Sequence, residues 1–126
     1  MNLVKIYLLC ASGGGLVAVA LGAFGAHALK AKLSPAMLSV WQTAVNYQFY
    51  HVLALLLVAV LLHFGWQSRW LVVAGACFLA GMLLFSGSLY WLALGGPSWL
   101  GPITPFGGLS FMMGWLMLFI AGLKLQ

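Results

Sequence analysis

The chain has 126 residues, of which five are Lys or Arg and none is Asp or Glu, and it carries a net charge of +5. It is 65% hydrophobic, whereas about a quarter of the residues in a soluble domain are usually charged. This composition excludes a water-soluble fold, and the lack of carboxylates argues against cation sites and proton relays. The few cations form no basic stripe, which argues against a nucleic-acid partner.

The basic residues leave three long uncharged segments, at residues 6–29, 33–68 and 70–123. An apolar run of about 18 residues or more is typical of a transmembrane helix, because ~20 residues cross a hydrocarbon core ~30 Å thick. The last segment is long enough for two such helices. We therefore predict an all-α membrane protein, a four-transmembrane-helix bundle that forms a single domain over residues 1–126.

The first span is predicted over about residues 6–28. A cleaved signal peptide is the alternative, because Lys5 precedes an apolar run and Ala26-His27-Ala28 resembles a cleavage site. The apolar run is longer than a signal sequence needs, so we predict a retained first span.

The second span is predicted over about residues 41–64. Ser34 followed by Pro35 is typical of a helix start, with Ser as the N-cap and Pro in the first turn. A helix that began there would be ~45 Å long, which exceeds the hydrocarbon thickness. Either this helix tilts steeply, or residues 35–41 form an interfacial helical segment before a span that begins near Trp41.

The third and fourth spans are predicted over about residues 70–94 and 104–123. Gly and Pro residues between 95 and 102 interrupt any helix and predict a turn. Thr104 followed by Pro105 repeats the N-cap and proline pattern, and it predicts the start of the last helix.

The distribution of basic residues predicts the orientation. Four spans place both termini on one side together with Lys5, Arg69 and Lys124, whereas Lys30 and Lys32 lie on the other side. The positive-inside rule then favours cytoplasmic termini. Cations at the ends of apolar helices extend toward lipid phosphates, so membrane lipids are predicted partners.

Two helix faces carry small residues at regular spacing. The first span has them at intervals of four, and the fourth span at intervals of seven. Such faces permit close helix packing, either within one protomer or along the seam of a homo-oligomer or a complex with another membrane protein. The residues of these predicted packing faces are Gly14, Ala18, Gly22, Ala26, Gly107, Gly114 and Ala121.

One segment of the second span is polar. At about 100° per residue its polar side chains fall within one half of the helix, with Gln48 outside that half. We predict that this half faces the bundle interior or the headgroups, because unpaired polar groups are costly in hydrocarbon. Hydroxyl groups of the third span are candidate partners. The candidate residues are Gln42, Thr43, Asn46, Tyr47, Tyr50, His51, Ser86, Ser88 and Tyr90.

These polar residues have two interpretations. They form a hydrogen-bonded core network that fixes how the helices pack, or they line a polar cavity in which His51 is a switchable donor or acceptor. The cavity would take a small neutral or anionic solute or a lipid headgroup. A conduit would require an oligomer, because four helices leave little room for a pore.

No catalytic, metal or cofactor site is predicted. His27, His51 and His63 have no metal-ligand spacing, and no carboxylate assists them. Cys10 and Cys77 lie within apolar stretches and are expected to pack as small hydrophobic residues. No serine has an acidic or lysine partner of the kind that activates a nucleophile, so an enzyme is not predicted.

Four motifs in order resemble the YgdD/YwdK family of small bacterial inner-membrane proteins, a domain of unknown function. The motifs are Gly22–Leu29, Trp41–His51, Phe85–Tyr90, and Leu100–Gly108 with Gly114-Trp115. The resemblance covers essentially the whole chain and implies a four-helix protein of the bacterial cytoplasmic membrane. It implies no activity, substrate or cofactor.

The predicted role follows from the packing faces. We predict a membrane component that acts through helix packing, as a self-associating unit or as an accessory subunit of another membrane protein. The alternative is an oligomeric conduit or binding site that is lined by the polar face of the second span.

Overall fold

The computed structural model describes residues 2–126 and contains no strand within them. It consists of four long helices: α1 (Leu3–Leu29), α2 (Pro35–His63), α3 (Arg69–Ala93) and α4 (Leu100–Leu123). Each helix is long and apolar enough to cross a membrane. The predicted all-α membrane fold with four candidate spans is therefore confirmed.

Side-chain caps fix the start of three helices. Asn2, Ser34 and Ser68 each accept a hydrogen bond from a backbone N–H two or three residues later. These bonds satisfy donors that the first turn of a helix leaves free. Because α2 starts at Pro35 and runs without a break, residues 35–41 are its first turns and not a separate helical segment.

The helix α4 begins four residues earlier than predicted. It starts at Leu100 and contains Pro105, so the prediction that Thr104 caps this helix was wrong. Backbone N–H groups of Leu100 and Gly101 already bond to carbonyls of the preceding turn. A proline close to the start of a helix removes few backbone hydrogen bonds, which is why the helix continues through Pro105.

The helices α2 and α3 end in the same way. Gly65 and Gly95 have φ angles of +94° and +92°, in the left-handed region that favours glycine. After α2, the N–H of Trp66 bonds back to the Leu61 carbonyl. This arrangement closes the last helical turn and allows a short reversal into the next helix.

Neighbouring helices in the chain are neighbours in space. The helix α1 packs mainly on α2, α2 packs on α3, and α4 packs mainly on α3. The largest fully buried side chains, among them Leu55, Leu71 and Phe78, lie between these helices. Tyr7 of α1 reaches across to α3, where its hydroxyl donates to the Val72 carbonyl.

The small-residue face of α1 packs against α2 within the same protomer. A β-carbon added at Gly14 would lie 2.9 Å from Val52 Cγ2, and one at Gly22 would lie 3.3 Å from Val45 Cγ1. Ala18, between the two glycines, is buried. These residues therefore allow α1 to approach α2 closely, as small residues do in membrane helix pairs.

Ala26 does not belong to this face. Residues Gly25–Leu29 form a π-helical turn, and such a turn changes the register of the side chains that follow. Ala26 is exposed, and Gly25 instead lies against the indole ring of Trp41. The prediction that Ala26 extends the packing face was wrong for this reason.

The small-residue face of α4 packs against α3. Gly107 lies directly on the backbone of Phe85, and Gly114 lies on the ring of Phe78. Ala121 is buried further along the same helix. Both small-residue faces are thus occupied inside the protomer, apart from Ala26.

Candidate functional site

Polar side chains connect all four helices by hydrogen bonds, and we call this set the polar network. It extends from the middle of α2 to the end of α3 and the first turns of α4, and its members are buried or half-buried except for Trp115, which is 47% exposed. Four of its members were candidates from the sequence, whereas Gln48, Thr104 and Trp115 were not. The polar network consists of Gln48, His51, Ser86, Ser88, Tyr90, Thr104 and Trp115.

Gln48 joins three helices. Its side chain is only 8% exposed. The amide Nε2 donates to the Gly14 carbonyl of α1 at 2.8 Å, and Oε1 accepts from the Tyr90 hydroxyl of α3 at 2.7 Å. Because a carbonyl can only accept, Nε2 must face Gly14 and the Tyr90 hydroxyl must be the donor to Oε1. Gln48 therefore fixes the positions of α1 and α3 relative to α2.

His51 joins α2 to α4 and is 5% exposed. Its Nε2 lies 3.0 Å from the indole Nε1 of Trp115, and its Nδ1 lies 2.7 Å from the Tyr47 carbonyl. Since an indole N–H can only donate, Nε2 is the acceptor and the proton is on Nδ1. The imidazole is thus neutral and fully bonded, and its ring stacks on Phe111 with a centroid separation of 3.6 Å.

Hydroxyl groups complete the network. Ser86 donates to the Ala44 carbonyl of α2 at 2.8 Å. Ser88 lies 2.9 Å from the Phe85 carbonyl and 2.6 Å from the Thr104 hydroxyl. The Thr104 hydroxyl also lies 3.3 Å from the Leu100 carbonyl, so either hydroxyl can donate to the other. This pair links α3 to α4.

The polar network leaves no buried group free. Within residues 2–126, every buried side-chain nitrogen or oxygen has a hydrogen-bond partner. A buried solute or headgroup would have to displace one of these bonds. The contacts are those expected of a network that fixes helix packing, and they offer no unpaired group to a ligand.

The predicted orientation of α2 was wrong for part of its polar half. Gln42 and Tyr50 are exposed on the outer side of the helix, and Tyr50 is 55% exposed. Tyr47 is exposed in the groove between α2 and α4, where its ring lies 4.8 Å from that of Phe85. Asn46 is half-buried and accepts a hydrogen bond from Gln42 at 2.9 Å. Thr43 is also half-buried and bonds to a backbone carbonyl of its own helix.

The inward side of α2 is determined by its largest apolar contacts. Trp41, Leu55 and Gln48 are buried and recur at intervals of seven, so they lie on one side of the helix. That spacing was visible in the sequence and would have placed Gln48 inside. The prediction instead took the half of α2 with the most polar residues to face inward, and that half includes the outer side of the helix.

Two open grooves lie beside the polar network. A groove of about 530 Å³ between α1 and α3 has Gln48 and Tyr90 at its base, and one of about 590 Å³ between α2 and α4 has His51 and Trp115. The remaining walls of both grooves are mainly apolar side chains. The bonded polar atoms at their bases do not by themselves define a polar binding site.

The histidines and cysteines are not assembled into a metal site. No group of three or more His, Cys, Asp or Glu side chains that could hold a metal occurs among residues 2–126. Cys10 and Cys77 are partly buried and free.

The substitution His51→Leu is expected to destabilise the protein by about 1–2 kcal/mol, because it leaves the Trp115 N–H unpaired in the membrane interior. His51→Gln is expected to cost less, because the amide oxygen can still accept that hydrogen bond. Unfolding by SDS in mixed micelles would measure both effects. Equal stability of His51→Leu and the unsubstituted protein would contradict a packing role for His51.

The fold and the polar network define a small helical membrane protein in which most interior polar groups serve helix packing. Residues 21–108 match the family described as "Protein of unknown function (DUF423)". The UPF0382 membrane protein SAB0533 of Staphylococcus aureus (strain bovine RF122) is 46% identical over 95% of this chain and 97% of its own length. The UPF0382 membrane protein YwdK of Bacillus subtilis (strain 168) is 42% identical over 95% of this chain and 98% of its own length.

The chain therefore belongs to the DUF423 family of UPF0382 membrane proteins, which confirms the resemblance found in the sequence motifs. The names of these relatives describe membrane proteins and state no enzymatic activity. No solved structure matches the chain.

Proposed function

We propose that the protein is a component of the bacterial cytoplasmic membrane, with cytoplasmic termini, that acts by associating with other membrane helices. Its partner is a second copy or another membrane protein. The observation that supports this proposal is a polar surface on the outer side of α2. We call this surface the outer stripe, and it consists of Gln42, Asn46 and Tyr50.

The outer stripe lies deep in the expected hydrocarbon layer. The midpoint of α2 is residue 49, so at ~1.5 Å per residue Tyr50 lies ~2 Å from it, Asn46 ~5 Å and Gln42 ~10 Å. All three distances are below the ~15 Å half-thickness of the hydrocarbon core. The hydrogen bond between Ser86 and the Ala44 carbonyl supports the use of helix midpoints as a measure of depth. Each of these residues lies five residues from the midpoint of its own helix, so the midpoints of α2 and α3 lie at about the same depth.

The hydrogen-bonding groups of the outer stripe are only partly used. Gln42 donates to Asn46 Oδ1, while the Asn46 Nδ2 and the Tyr50 hydroxyl have no hydrogen-bond partner among the described residues. Acyl chains offer neither donors nor acceptors, and each unpaired group is costly in hydrocarbon. A partner helix with polar side chains at this depth would remove that cost.

The small-residue faces do not support association with a partner. They are packed within the protomer, so Gly22→Leu is expected to disturb the contact of α1 with Val45 rather than an assembly. The outer stripe is therefore the better-supported surface for association.

The alternative function, a conduit or a site for a small solute or headgroup, has less support. The interior polar groups are bonded to one another, and the grooves beside them are mainly apolar. Solute flux through liposomes that contain the purified protein, lost on substitution of Gln48 but not of Asn46, would favour this alternative.

Association is expected to be detectable in native membranes. Chemical cross-linking followed by native mass spectrometry in mild detergent should show the protein in a complex with itself or with another membrane protein. Substituting all three residues of the outer stripe by Leu should reduce the complex while thermal stability is retained. A protein that is monomeric by both measurements, with no captured partner, would contradict the proposed function.

A further inference from the structure

We infer that the partner of the outer stripe is a second copy of this chain, packed so that the two α2 helices run parallel and meet at Asn46. This inference rests on the proposed function and names the partner for it. It is supported by the hydrogen-bonding chemistry of the stripe and by the insertion geometry.

The chemistry of the stripe is self-complementary. A carboxamide carries both donors and acceptors. The Asn46 Nδ2 hydrogens and the Gln42 Oε1 have no partner among the described residues, and neither does the Tyr50 hydroxyl. A second stripe presents the same groups, so amide N–H groups of one copy can bond to amide oxygens of the other. No charged partner is needed, and the described spans offer no acidic side chain to suggest one.

Insertion geometry determines how two copies meet. Two molecules inserted with the same orientation are related by a two-fold axis along the membrane normal, and in such a pair like surfaces face each other. Helices related in this way run parallel. Gln42, Asn46 and Tyr50 follow one another at intervals of four and extend over ~12 Å of α2. With Asn46 at the two-fold axis, Gln42 and Tyr50 lie about one helical turn before and after it along α2.

The position of the stripe argues against a lipid headgroup as the occupant. Headgroups lie outside the hydrocarbon core, whereas Asn46 and Tyr50 lie within ~5 Å of the midpoint of α2. Another membrane protein with a polar helix could pair with the stripe. The symmetry of the amide chemistry favours a second copy.

Cysteine cross-linking tests the position of the interface. In a Cys10→Ala, Cys77→Ala background, Asn46→Cys should form a disulfide-linked dimer in native membranes treated with copper phenanthroline. The matched control is Leu109→Cys, which is exposed on α4 at about the same distance from the midpoint of its helix. Leu109→Cys should remain monomeric.

The side chain of Asn46 can be tested separately. Asn46→Leu should weaken dimerisation in liposomes about tenfold, measured by energy transfer between labelled copies, because one interhelical polar contact is lost. Asn46→Gln, which keeps a carboxamide, should retain more of the dimer, and Leu109→Ala should leave dimerisation unchanged. Since Asn46 faces outward, the fold of Asn46→Leu should be intact by circular dichroism.

The two proposals fail in different ways. Cross-linking of Asn46→Cys no greater than that of Leu109→Cys would overturn the α2 pair, and so would unchanged dimerisation of Asn46→Leu. A complex with a different protein, or a dimer through another face, would also overturn the α2 pair. Either result would still agree with the proposed function, which is association with other membrane helices. A strictly monomeric protein without any partner would overturn both.

Discussion

Replacing Gly107 by alanine is expected to destabilise the protein by about 3 kcal/mol, at the upper end of what overpacking usually costs. A β-carbon at this position would overlap the backbone nitrogen of Phe85 in α3. A side chain could rotate away, but a helix backbone cannot, so α4 would have to move away from α3. Unfolding by SDS in mixed micelles would measure the loss.

Gly108 provides the matched control. It is the next residue of the same helix, and a β-carbon there would lie 3.9 Å from the Phe85 ring, which is an ordinary contact. Gly108→Ala is expected to change stability by less than about 1 kcal/mol, in the stabilising direction, because alanine favours helix over glycine. Equal effects at the two positions would show that helix propensity, rather than the contact of α4 with α3, determines the result.

The four spans could be predicted from the sequence because they depend on long uncharged apolar segments. The helix boundaries were less accurate. The Ser34 cap identified the true start of α2, but the expected membrane thickness suggested a later start for the span. At α4, the Thr104-Pro105 pattern resembled a helix start, although local turn hydrogen bonds begin the helix at Leu100. Local backbone bonding determines the end of a helix more directly than the bilayer does.

The role of the small-residue faces could not be predicted from spacing alone. The same spacing permits contacts within a protomer and between protomers. The structure shows that Gly14 and Gly22 pack on α2, and that Gly107 and Gly114 pack on α3. The π-helical turn that moves Ala26 out of line leaves no clear mark in the sequence, and it occurs where Gly25 packs against Trp41.

The candidate site was predicted in part. Ser86, Ser88, Tyr90 and His51 are buried and bonded to neighbouring helices, as a core network requires. The prediction missed Gln48, because it ranked the sides of α2 by their number of polar residues. An outward polar surface was not expected in a membrane helix, and that surface now motivates the proposed association.

Gln48→Leu is expected to destabilise the protein by about 2 kcal/mol, the largest effect we expect in the polar network. Leucine is of similar size but loses the hydrogen bond to the Gly14 carbonyl and the one from the Tyr90 hydroxyl. Contacts between helices in membranes contribute ~1 kcal/mol each, and an unpaired hydroxyl in the interior adds to the cost. Because Gln48 joins three helices, α1 should also become easier to separate, measured as faster proteolysis or hydrogen exchange in α1.

A double-mutant cycle with Tyr90→Phe tests whether Gln48 acts through these bonds. Tyr90→Phe removes the hydroxyl but keeps the ring, which packs edge-on against Trp41 at 4.7 Å, so it should cost about 1 kcal/mol. The bond between Gln48 and Tyr90 is lost in either single variant, so the double variant should cost less than the sum by about 1 kcal/mol. Strict additivity would mean that the two side chains stabilise the protein independently. In that case the loss in Gln48→Leu would come from the contact with α1 alone, and α1 and α3 would not be coupled through Gln48.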